Sequence, residues 1–88
     1  MGSEARRGMA RLMLRRPEWR LELQKWALQE ARICALVEEY EAACAALDYW
    51  VHSPSLLALA RAKEHRAFVA ELEDDIVSLL RAKASRTP

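Results

Sequence analysis

The sequence predicts an all-α protein: an antiparallel helical hairpin of two long helices that dimerises into a four-helix bundle or coiled coil. Three observations carry that expectation. The 88 residues include only two glycines and three prolines, against 52% hydrophobic and 31% charged residues. Sixteen alanines stand beside abundant Leu, Glu and Arg, all strong helix formers. From Trp19 to Val51 there is neither glycine nor proline, and the apolar positions recur at spacings of four and three, as in a coiled-coil seam. One break, VHSPS at 51–55, separates this pattern from a second stripe of the same period.

Residues 1–16 form a basic arm, either flexible or a short amphipathic helix. Pro17 suits the first turn of a helix, with Glu18 and Glu22 near its positive end, so the first long helix is placed at 17–51. Its seam reads Trp19, Leu23, Trp26, Ile33, Val37, Tyr40, Cys44, Leu47 and Val51, interrupted by Glu30. A charged seam residue of this kind fixes register or oligomer state, and Arg81 is its expected partner. Residues 52–54 form the loop. Ser53 caps the second helix and Pro54 stands at its first position.

The second helix is placed at 55–84. Its seam reads Ala58, Ala62, His65, Val69, Leu72, Ile76, Leu79 and Lys83, and Leu56, Leu59, Phe68 and Leu80 widen the apolar face. Residues 85–88 are a tail expected to fray. Folding about this loop opposes residues whose numbers sum to about 107, which brings Glu41 near Arg66 and Arg32 near Asp75.

Two helices do not cover this much apolar surface. Leu28, Leu36, Trp50, Phe68 and Leu80 lie beside the seams, and burying each stabilises by about 1.5–3 kcal/mol. A chain this short is marginal without that burial. A homodimer is expected, or an obligate complex with another helical protein. The oligomer seam is assigned to Ile33, Val37, Tyr40, Cys44, Leu47, Val69, Leu72, Ile76 and Leu79.

The net charge of +1 hides an asymmetry. The first twenty residues carry six arginines against two acids, residues 21–51 carry two bases against six acids, and the remainder is mixed. The first long helix also outreaches the second. Its overhang, with Met9, Leu12, Arg15, Arg16, Trp19, Arg20, Leu23 and Trp26, is the expected partner-binding surface, because Trp and Arg dominate binding hot spots. The function this implies is a non-enzymatic protein–protein interaction module: an adaptor, regulator or accessory protein whose partner offers an acidic or helical surface. The alternative is a nucleic-acid-binding regulator, similar in shape alone to Rop-type hairpin dimers, using the same arginines on phosphate. Docking of the arm on an anionic membrane ranks third.

Other chemistry finds little support. Cys44 and His65 both fall on seam positions, with Glu41 nearby, and are the candidates for a metal. No CxxC or HxxxH spacing accompanies them, so no metal or cofactor is expected. The acidic runs Glu38–Glu39–Glu41 and Glu71–Glu73–Asp74–Asp75 read as solvated helix faces. There is no glycine-rich phosphate loop, nucleophile elbow or HExxH, and no enzyme is expected. Two cysteines are too few for a disulfide scaffold. No apolar run approaches the roughly 20 residues of a membrane span, and a cytoplasmic location is expected.

Overall fold

A computed structural model describes residues 2–86, with the backbone alone at 86. The described residues are all-helical and contain no strand. In chain order they form α1 (Ser3–Arg15), a single 3-10 turn (Pro17–Trp19), α2 (Arg20–Gln29), α3 (Ala31–Val51) and α4 (Ala58–Arg86). The molecule measures 52 × 23 × 20 Å. Residues 87 and 88 of the tail lie outside the described residues.

The arm is an ordered helix packed against α3. Ala5, Gly8, Met9 and Leu12 fall on one face at helical spacing, and all four are buried. Glu4 in the first turn and Arg15 in the last suit the helix dipole. The helix stops where it does because Arg16 precedes Pro17, whose ring drives the preceding residue out of the helical region; Arg16 sits at φ −132°, ψ 68°. Gly8 sets the distance between α1 and α3. A Cβ there would lie 2.9 Å from Val37 Cγ1 and closer still to the Val37 carbonyl oxygen, so only glycine permits this approach.

The helix expected over 17–51 is divided. Pro17–Trp19 makes one tight turn, and Glu30 interrupts the remainder with extended backbone at φ −112°, ψ 110°. No glycine or proline marks this second break. Ending α2 at Gln29 lets Leu23 and Ala27 pack into the core beside Ile33 and Val37, while the Glu30 carboxylate reaches Lys83 Nζ at 3.0 Å. A continuous helix would hold that carboxylate in an apolar seam, where an unpaired charge is costly. The expected partner, Arg81, lies instead over the Trp19 ring, 5.7 Å from its centroid.

α3 and α4 lie side by side in opposite directions. Opposed pairs have numbers summing to 113, as in Tyr40 with Glu73 and Glu30 with Lys83, rather than about 107. The connection is longer than expected, because α4 begins at Ala58 instead of residue 55. Ser53 Oγ accepts the Ser55 N–H, and Ser55 Oγ accepts the Leu57 N–H. The two serines thus hold a turn open before the helix starts. With this register Glu41 faces Arg11, not Arg66. The core comprises Met9, Leu12, Leu23, Ala27, Ile33, Val37, Tyr40, Ala43, Cys44, Leu72, Ile76 and Leu80.

Candidate functional site

Of the expected partner-binding residues, Met9, Leu12 and Leu23 are core residues. Trp19 and Trp26 are half-buried against the core, with Arg81 over the former and Lys25 and Lys83 over the latter. Arg15 and Arg16 turn toward α4, and Arg20 alone of the set is an exposed side chain with no ion pair among the described residues. Of the expected oligomer seam, Ile33, Val37, Tyr40, Cys44, Leu72 and Ile76 lie in the chain's own core, and Val69 and Leu79 pack at its edge. Leu47 is half-buried in the wall of a groove. The arm therefore covers much of the surface assigned to a second copy.

The arm is held by two buried carboxylates that the sequence reading placed on solvated faces. Glu41 accepts a hydrogen bond from Arg11 Nε at 2.6 Å and lies 3.8 Å from Arg7 Nε; Arg11 also reaches Asp48 at 3.4 Å. Glu73, only 4% exposed, accepts from Arg16 Nε at 2.7 Å and from the Tyr40 hydroxyl at 3.2 Å, with Arg15 Nε at 3.5 Å. Burial pulls the Glu73 carboxyl upward, but the Arg16 hydrogen bond, the Arg15 charge and the Tyr40 hydroxyl outweigh it and leave the carboxyl below the usual range. Burial, with Cys44 and Glu73 close by, pushes the Tyr40 hydroxyl upward. Burial also raises the Cys44 thiol, the opposite of the activation a nucleophilic cysteine needs.

Above this network a groove of about 520 Å³ opens between α1, α3 and α4. Arg11, Leu14 and Arg15 form its α1 wall, Tyr40, Cys44 and Leu47 its α3 side, and Arg66, Val69, Ala70 and Glu73 its α4 wall. A second concavity of about 340 Å³ continues along the α3–α4 pair past Trp50, Ala62 and Leu59, and Arg66 lines both. Beyond lies an apolar tip. Tyr49, Val51, Leu56, Leu57 and Leu59 are exposed there, Leu56 fully, and residues 49–60 contain no Asp, Glu, Lys or Arg.

The metal candidates do not assemble into a ligand set. Cys44 is buried, while His65 Nδ1 lies 2.8 Å from the Arg61 carbonyl on its own helix. Among the described residues no group of three His, Cys, Asp or Glu side chains is placed to hold an ion. No described helix is long and apolar enough to cross a membrane.

No family model, curated protein or solved structure matches this chain. Sequence reasoning missed Gly8, Glu41, Glu73 and Arg66. A signal for Glu41 was present: the basic arm precedes an acidic segment of opposite charge, and Arg7, Arg11 and Arg15 recur every four residues along one face.

Proposed function

We propose that the protein is a non-enzymatic protein–protein interaction module, working through the uncovered face of the α3–α4 pair rather than through its N-terminal arm. One observation carries the reading. Between Leu47 and Phe68 the only buried residue is Ala62, although this stretch contains Tyr49, Trp50, Val51, Leu56, Leu57 and Leu59. A contiguous exposed apolar face of this kind marks a docking surface in a small domain. The arm supports the reading by exclusion. Of its five arginines, Arg7, Arg11, Arg15 and Arg16 each lie within 3.8 Å of a carboxylate, which weakens the nucleic-acid alternative.

Self-association is the second reading, favoured by the tip. Its twelve residues carry no formal charge apart from His52, so two tips meet without like-charge repulsion, and the antiparallel pair would then form half of a four-helix bundle. Photo-cross-linking from Leu59 and from Leu28 in the producing cell tests both readings. A discrete adduct from position 59 but not 28 is expected; its mass identifies a second copy or a foreign protein. No adduct from position 59 overturns the function.

A further inference from the structure

The geometry points to a specific occupant for the groove: one amphipathic helix of a partner protein, with an apolar stripe that fills the channel and Asp or Glu beside it that engages Arg66. This rests on the reading of the α3–α4 face as a docking surface, and adds the shape and charge of the partner. The two concavities meet at Arg66, and their α4 residues Leu59, Ala62, Arg66, Val69 and Glu73 recur at spacings of three and four on one face of the helix, so they line up as one channel. From Glu73 to Leu59 it follows fourteen residues of α4, about 21 Å, the length of four helical turns. Its apolar lining is the half-buried Leu47 and Val69 with the exposed Leu14 and Leu59 at the rim, a surface that the apolar i, i+3, i+4, i+7 stripe of a docked helix would cover.

Charge selects among occupants. Glu73, the one acid in the channel, is already engaged by Arg16 and Tyr40. Arg66 has no carboxylate partner among the described residues, whereas Arg11 and Arg15 on the opposite wall are already engaged by Glu41 and Glu73. A second copy meeting this face about a two-fold axis would bring its own unpaired Arg66 to the same channel and no acid to meet it, and like charges set against one another oppose docking. A nucleic acid would meet apolar side chains between the cations. An acidic amphipathic helix satisfies both the apolar floor and the cation.

The test is selection of a displayed library of helical peptides on the full-length protein, repeated on Arg66→Glu. Arg66 is exposed, so the variant retains the fold, checked by circular dichroism. Peptides with an apolar stripe flanked by Asp or Glu are expected to be enriched. A synthesised winner is expected to bind Arg66→Glu about tenfold more weakly, to shift the amide resonances of Leu47 and Val69, and to be replaced on the variant by Lys-flanked peptides. Apolar peptides with no acidic bias, or binding indifferent to Arg66→Glu, overturn this inference while leaving the docking face intact. Absence of any enriched stripe overturns both.

Discussion

The two ends of the α3–α4 pair carry similar apolar stripes but differ in what covers them. At the end bearing Ile33, Val37, Tyr40, Leu72, Ile76 and Leu80, α1 and α2 fold over the pair and every one of these side chains is buried. Toward the connecting turn no other described element lies across it, and Leu56, Leu57 and Leu59 face solvent. The difference teaches that a seam specifies that a helix must be covered but not by whom. Charge decided it at the covered end, where Glu41 and Glu73 hold Arg11 and Arg16.

The comparison breaks first at the covered end. Leu12→Ala removes a side chain that is 1% exposed and is expected to cost about 2–5 kcal/mol, a fall in melting temperature of roughly 10 °C or more. Thermal unfolding by circular dichroism reads it directly. Gly8→Ala sharpens the point, because alanine favours an isolated helix by about 1 kcal/mol, yet the new Cβ strikes Val37. A net loss of about 1–2 kcal/mol is expected, since overpacking against backbone outweighs propensity. A stabilised Gly8→Ala variant places α1 elsewhere.

Glu73→Gln has a smaller effect with a distinctive pH dependence. Its carboxyl lies below the usual range in the fold, so the unfolded chain takes up the proton first as pH falls. The carboxylate's contribution is present above the ordinary value of about 4.3 and lost as pH falls through the lower folded value. Glu73→Gln is expected to cost about 1 kcal/mol at neutral pH, discounted because Arg15 and Arg16 are solvated, and to flatten the acid limb of stability. Urea midpoints measured from neutral pH down to about pH 3 test this; an unchanged limb removes Glu73 from the arm's anchor. The smallest effect is expected at the bare end. Leu57→Ser changes stability of the isolated chain by no more than about 0.5 kcal/mol, and a large loss there would mean that the tip is already covered.

Helical content was legible in the sequence because alanine, the paucity of glycine and the four–three spacing all act locally. The start of α4 was displaced by three residues because Ser55, as well as Ser53, turns its hydroxyl onto the backbone, a competition between two caps that composition does not rank. The break at Glu30 was flagged as a charge in a seam, but its resolution is tertiary. The backbone yields there without glycine or proline because α2 gains a packed position for Leu23 and Ala27. The arm's destination was half-legible. Its stripe of Ala5, Gly8, Met9 and Leu12 packs on α3, where Arg7 and Arg11 meet the acidic segment, while Arg15 and Arg16 reach Glu73 on α4; the same residues read in sequence describe a surface for a foreign partner. Arg66 carried no sequence signal, since its lack of a partner follows from a register set by the longer turn.

Hydrogen exchange of the full chain, followed residue by residue, tests the central claim most directly. The account predicts that the amides of Met9 to Leu12 are protected to nearly the degree of Val37 to Cys44. Exchange of Met9 to Leu12 at the rate of an unstructured peptide, with α3 still protected, would contradict it and return the arm to the partner-binding surface.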